Sequence, residues 1–240
     1  PLVYGERDRP DTVDQSCETT GASLVAAGTD FGVRQGRLYW AGHASEDVAV
    51  NTEIPLGPDN LASAVQALVL AGVELPDSPV GVASRTHLAG RNQRIALDGV
   101  NWIFDVGHNA EAIRRLAANL GHADGQTHVV LGMMKDKSLE QSLAELSPVA
   151  DHWYLLDLPG PRGATADSLA MHLPSARPEQ HCFQDVAPLL DAVQGHCLAG
   201  DRVLVVGSFV TVDLVAKTLD LDLLQQIADG AGIPGQERTQ

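Results

Sequence analysis

Apolar positions alternate between two periods along this chain. Leu2-Val3-Tyr4, before Gly5, reads as a short strand. Thr12 to Ala27 carries a helical pattern despite Gly21. Runs at Arg37-Leu38-Tyr39-Trp40 and Val48-Ala49-Val50, separated by Gly42 and charged residues, predict a β-hairpin or small meander between Asp30 and Asn51. Pro58-Asp59-Asn60 opens a helix over Leu61 to Ala71, and Gly72 stops it. Pro76 to Pro79 breaks the pattern, and a domain boundary is expected near Ser84 to Gly90.

Beyond that boundary, strand and helix alternate. Strands are predicted at Trp102–Asp105, His128–Met133, Trp153–Leu156 and Arg202–Gly207, with a short element around Cys182-Phe183. Helices are predicted at about 110–120, 138–146, 165–173, 185–196 and 210–228. The tail from Gly230 to Gln240 is Gly-rich and polar, and is expected to fray. Such alternation implies βαβ units, and near-continuous apolar strands imply a mostly parallel sheet covered on both faces.

Composition narrows the function. The 240 residues carry a formal net charge of −15, which disfavours nucleic acid and anionic membrane as partners. No apolar run is long enough to span a bilayer, and no signal peptide is expected, since no basic segment followed by an apolar one stands near Pro1. Three cysteines without C-x-x-C spacing indicate neither a disulfide framework nor a zinc site, and fit a reducing cytoplasm. Nine histidines include no metal-binding pair on a helix, so all but His108 read as surface or packing residues. The chain starts at Pro1 inside a strand pattern, which suggests a fragment.

In an open parallel sheet, ligands bind beyond the carboxyl ends of the strands. Those ends carry Asp105, Gly107, His108 and Asn109; then Lys135, Asp136 and Lys137; then Asp157, Pro159 and Arg162; then Ser208 and Thr211. Asn109 either caps the following helix or joins a ligand site at its positive end. Lys135 and Lys137 either bind anionic oxygen or sit on a solvated loop. Ser208 either caps a helix or binds a carboxylate, and no G-x-S-x-G elbow makes it a nucleophile. Arg91 either clamps phosphate or pins a linker. Neither G-x-x-x-x-G-K-[ST] nor a post-strand G-x-G-x-x-G occurs, which disfavours a nicotinamide-type Rossmann enzyme.

The order of these segments resembles the C-terminal part of the bacterial bifunctional folylpolyglutamate synthase/dihydrofolate synthases, within the Mur ligase superfamily. Gly28-Thr29-Asp30-Phe31 resembles a "G-x-D-F" segment, and Asn60 to Ala64 a helix bearing an adenine-side Asn. Gly90-Arg91 resembles a "PGR" linker, with Ala89 replacing the proline. Asp105 to Asn109 resembles "D-x-A-H-N", with Gly107 in the small position. Gly132 to Lys137 resembles "G-M-x-K-D-K", and Gly207 to Val212 "G-S-F-x-T-V".

The resemblance implies a Rossmann-like, mostly parallel C-terminal domain of Mur ligase type over 87–240, binding glutamate. It implies that 1–86 is the tail end of an α/β P-loop-type central ATPase domain. The implied activity is ATP-dependent addition of L-glutamate to dihydropteroate or (poly)glutamyl folates through an acyl phosphate. Carried over by motif, Asn60 contacts adenine, Arg91 the phosphates and Asp105 the nucleotide. His108, Asn109 and Ser208 hold glutamate, and His108, Lys135 and Ser208 form the catalytic set. ATP and Mg²⁺ are the implied cofactors, with the Mg²⁺ ligands and phosphate loop expected upstream of Pro1 and no metal site in this chain. The resemblance also implies a cytoplasmic protein, monomeric at full length, with the isolated chain inactive. The competing expectation is a non-catalytic α/β module binding an acidic amino acid or a partner subunit.

Overall fold

The computed structural model describes residues 1–42, 48–50, 54–174 and 179–228. The tail at Gly230 to Gln240, part of the meander and His43 lie outside them. The chain divides into two compact units, Pro1–His87 and Leu88–Gln240.

The first unit contains β1 (Leu2–Tyr4), α1 (Asp11–Thr20), β2 (Leu24–Ala26), β3 (Gly32–Arg34), β4 (Arg37–Tyr39), β5 (Val48–Ala49), α2 (Pro58–Leu70) and α3 (Pro79–Ala83). The helix expected over Thr12 to Ala27 is therefore corrected. Gly21 turns left-handed at φ 71° and closes α1, and Leu24–Ala26 pairs as a parallel strand with β1. β3, β4 and β5 form an antiparallel sheet, the expected meander. Phe31 and Leu38 are fully buried against Leu61, Ala62 and Val65 of α2. The Pro76–Pro79 break is followed by one unforeseen helix, α3, whose start Ser78 caps through its hydroxyl.

The second unit contains β6 (Gln93–Leu97), β7 (Val100–Asp105), α4 (Ala110–Asn119), β8 (Thr127–Leu131), α5 (Leu139–Leu146), β9 (His152–Leu156), α6 (Ala166–Met171), β10 (Glu179–Phe183), α7 (Val186–His196), β11 (Arg202–Val206), α8 (Phe209–Thr218) and α9 (Leu223–Ala228). Its six-stranded sheet has the order β10-β9-β8-β11-β7-β6. All pairs are parallel except β6–β7. Alternate residues of each strand enter two apolar layers. Ile103, Val129, Leu131, Trp153, Leu155 and Leu204 pack with α4, α5 and α6. Phe104, Val130, Tyr154, Leu156, Val203 and Val205 pack with α7 and α8. The sheet is thus covered on both faces, which is why its strands read as unbroken apolar runs.

Two expectations change here. β6 was not foreseen; Asp98 and Gly99, at φ 50° and 80°, turn it into β7 as a two-residue hairpin. The single helix expected over Val210 to Ala228 is two helices. It breaks where Asp220 takes φ 55° between α8 and α9.

Candidate functional site

β7 and β11 are parallel neighbours, yet they send their helices to opposite faces. α4 leaves β7 on one side and α8 leaves β11 on the other. Diverging helices open a crevice beyond the carboxyl ends of the two strands, the usual ligand position in such sheets. The loops Asp105–Asn109 and Gly207–Ser208 form its floor, and the Gly207 amide donates to the Gly107 carbonyl at 3.1 Å.

Asp105 is nearly buried, and both its carboxylate oxygens are committed. Oδ2 accepts from the Asn92 amide at 2.8 Å and Oδ1 from the Gly107 amide at 2.6 Å. Burial pushes its carboxyl above the ordinary range, opposed by those two amides and by the charge of Arg91. Asp105 therefore ties the Gly90–Gln93 segment to the post-β7 loop, a tie that the Val106 amide reinforces by donating to the Gly90 carbonyl at 2.8 Å. Arg91 lies half-buried above this junction, its guanidinium 5.9 Å from the Phe209 ring centre. Phe209, a contributor the motif reading did not single out, is 61% exposed, large for an aromatic at a sheet end.

His108 hydrogen-bonds through Nδ1 to the Val106 carbonyl at 3.0 Å, so Nδ1 carries a proton and Nε2 is the nitrogen left uncommitted. Asn109 caps α4, its Oδ1 accepting from the Ala112 amide at 2.8 Å. Ser208 is buried and caps α8 through the Thr211 amide at 3.0 Å. Its hydroxyl also meets the Thr211 hydroxyl at 2.7 Å, which in turn donates to the Gly132 carbonyl at 2.7 Å. Thr211 cannot donate twice, so the run reads Ser208 O–H to Thr211 O–H to Gly132 C=O. Ser208 and Thr211 thus join the ends of β11 and β8. The Ser-x-x-Thr spacing was the available signal for this, since it places both hydroxyls on the first turn of one helix.

The structure brings Arg91, Asp105, His108, Asn109 and Ser208 to one end of the second unit's sheet. Lys135 follows β8 at the same end, exposed, with Nζ 3.4 Å from the Pro161 carbonyl. With Lys137, Ser168 and His172 it lines an open polar cleft at the start of α5. Asp136, between the lysines, pairs with Arg162 at 2.9 Å. Asn60 belongs to the first unit. It stands on α2, bonds the Leu56 carbonyl, and lines an apolar pocket of about 210 Å³ with Ile54, Leu61, Val65 and Pro79.

Residues 90–209 match the family described as Mur ligase, glutamate ligase domain. The dihydrofolate synthase/folylpolyglutamate synthase of Escherichia coli K12 is 35% identical over 225 residues, covering 92% of this chain and 52% of that protein. The crystal structure of the bifunctional folylpolyglutamate synthase/dihydrofolate synthase from Yersinia pestis CO92 superposes with a TM-score of 0.79 at 31% identity, covering 91% of this chain and 52% of that one. A structure of a bifunctional enzyme of the same description, with Mn, AMPPNP and L-glutamate bound, gives a TM-score of 0.78 at 33% identity over 91% of this chain and 53% of that one. The chain spans about half the length of the curated relatives it matches. No helix among the described residues is long and apolar enough to cross a membrane. The match covers the crevice-bearing sheet from Gly90 to Phe209, and the chain belongs to the Mur ligase family through its glutamate ligase domain.

Proposed function

We propose that this chain works within an ATP-dependent ligase that joins L-glutamate to dihydropteroate or to a (poly)glutamyl folate. The relatives bear that name, and one of them is solved with AMPPNP, Mn and L-glutamate. In this reading the acid's carboxylate takes a phosphoryl group from ATP and releases ADP. The glutamate amine then attacks the acyl carbon, phosphate leaves, and an amide forms. A divalent ion accompanies the nucleotide. The substrates are small molecules, and the full-length protein is a cytoplasmic monomer that engages neither nucleic acid nor membrane.

The observation that carries the reading is the gathering of Arg91, Asp105, His108, Asn109 and Ser208 beyond the ends of β7 and β11, within the stretch matching the glutamate ligase domain. The chemistry needs cations near developing phosphate charge and fixed groups for an amino-acid carboxylate. Arg91 and Lys135 supply the first, with Lys137 lining the same cleft as Lys135. His108 is the best-placed contact for glutamate, because its Nδ1 is already held and its Nε2 is left for the ligand. Asn109 and Ser208 serve glutamate by fixing the first turns of α4 and α8, since their side chains are committed as caps. Asp105 serves the nucleotide by holding the Arg91 segment in place. Asn60 sits at the rim of an apolar pocket suited to an adenine ring.

The test is a chimera in which this chain replaces the matching half of the Escherichia coli enzyme. Glutamate-dependent ADP release at a measurable rate is expected. His108→Ala should raise KM for glutamate roughly ten- to hundredfold, the cost of one charge-assisted hydrogen bond, with KM for ATP little changed. A folded, ATP-binding chimera that forms no amide would overturn the reading.

A further inference from the structure

The amino-terminal end of the same sheet, opposite the crevice, collects a second set of chemically capable side chains. His128 is the second residue of β8, Cys197 caps the end of α7, and Asp201 precedes β11. Their ligating atoms all lie within 4.8 Å of one another, and the His128 Nε2 to Asp201 Oδ2 separation is 3.3 Å. We propose that His128, Cys197 and Asp201 form a site for one divalent transition-metal ion of the zinc class, with a fourth position open on the Cys197 side. This site plays no part in the glutamate-ligase reading.

The donor set argues for that class of ion. One imidazole, one thiolate and one carboxylate suit a borderline-soft cation; Mg²⁺ takes oxygen donors in an octahedron. Bonds of about 2.0–2.3 Å to nitrogen, oxygen and sulfur place tetrahedral ligands about 3.3–3.7 Å apart. The His128–Asp201 pair already has that spacing, so only the Cys197 side chain must swing inward.

The surroundings hold these atoms as outer groups hold metal ligands. The His128 ring is fully buried and stacks on His152 with centroids 4.7 Å apart and planes 11° apart. Its other nitrogen, Nδ1, meets the Tyr154 hydroxyl at 3.2 Å, and that hydroxyl meets His196 Nδ1 at 2.8 Å. With an ion on Nε2, the proton must sit on Nδ1 and point at Tyr154, which fixes both tautomer and ring plane. Asp201 is pinned by two amides, Gln126 to Oδ1 at 2.7 Å and Leu198 to Oδ2 at 2.8 Å. A Cβ at Gly125 would fall 2.1 Å from Asp201 Oδ1, so the carboxylate approaches the 125–126 backbone only because residue 125 is glycine. Cys197 forms no disulfide and is half-buried, and its neighbour Leu198 is 72% exposed. Two segments far apart in sequence, the start of β8 and the connection between α7 and β11, thus bring three different donors together.

The competing account is a metal-free relay, in which His196 donates to Tyr154, Tyr154 to His128, and His128 to Asp201. Titration of the untagged full chain with Co²⁺, after chelator treatment, separates the two. The expected result is one equivalent bound, with the charge-transfer absorption of a cobalt–thiolate bond and visible bands of tetrahedral intensity. Zn²⁺ should displace it and raise the thermal midpoint, and excess Mg²⁺ should leave the spectrum unchanged. Cys197→Ser should abolish the charge-transfer band and weaken Zn²⁺ binding at least tenfold. Tyr154→Phe should weaken it roughly ten- to hundredfold, as loss of an outer-shell partner does. Cys182→Ser, at an exposed thiol outside the cluster, should change neither. Absence of the band in the wild-type chain, or its survival in Cys197→Ser, would overturn the site and leave the relay. Both readouts come from the wild type and a conservative thiol exchange, so neither depends on substituting the buried His128.

Discussion

Gly207 sits at φ 109°, and a Cβ there would lie 2.6 Å from the Gly132 carbonyl oxygen. Gly207→Ala meets both a disfavoured backbone region and an immovable backbone atom. It should cost roughly 3 kcal/mol or more, read from urea unfolding. The next residue is gentler. Ser208→Ala removes a helix cap and should cost about 1 kcal/mol. Thr211→Val keeps the volume but strands the Gly132 carbonyl and the Ser208 hydroxyl in a buried place, and should cost about 1–3 kcal/mol. If Thr211→Val proves neutral, the hydroxyl run does not join β8 to β11. Asp105 gives a pH signature. Its ordinary carboxyl value is 3.8, and burial raises it in the folded chain against the opposing pull of the Asn92 and Gly107 amides and of Arg91 and Arg115. The folded state holds that proton more tightly than the unfolded chain, so the contribution favours folding most at low pH. It is lost as pH rises through the raised value. The stability of wild type relative to Asp105→Asn should therefore fall with rising pH across that window; a rising difference would show that desolvation is not the dominant cause.

Helix ends explain which elements the sequence reveals. Asn109 and Ser208 cap their helices as their residue types demand, and both boundaries were readable. α1 was read too long because its apolar pattern continues into β2, and only the left-handed turn at Gly21 separates them. β6 was missed because it is an edge strand with mixed polarity, although Asp98-Gly99 is a strong hairpin signal. Arg202 shows a tie that no local pattern announces. It is 94% removed from solvent at the start of β11, donating to the Leu120 and Gly121 carbonyls at 3.1 and 3.2 Å and to Thr127 Oγ1 at 2.8 Å. A cation there satisfies the open carbonyl end of α4 and binds it to two strands. Arg202→Leu should cost about 2–3 kcal/mol by stranding those acceptors. Hydrogen exchange should show the loss first in the last turn of α4; uniform loss across the sheet would contradict the capping role.

At the scale of the molecule, legibility follows contact distance along the chain. The motifs beyond each strand end lie within a few residues of a turn, so the crevice segments could be named beforehand. The His128–Cys197–Asp201 cluster could not, because its parts meet only when the sheet order brings β11 beside β8. That same order sets the stability of the two units. In Leu88–Gln240 six strands lie between two apolar layers, so the sheet needs nothing further to bury its faces. Among the described residues Pro1–His87 has a two-stranded parallel pair, a three-stranded antiparallel sheet and one smaller apolar cluster. A two-stranded pair is marginal in water and exposes its edge groups. Residues 88–240 expressed alone should therefore unfold in one cooperative transition at a midpoint close to that unit's in the whole chain. Limited proteolysis of the whole chain should cut within 1–87 first and leave a resistant fragment beginning near Leu88. A resistant fragment from 1–87, with 88–240 digested, would mean that the doubly covered sheet is not the stable body of this protein.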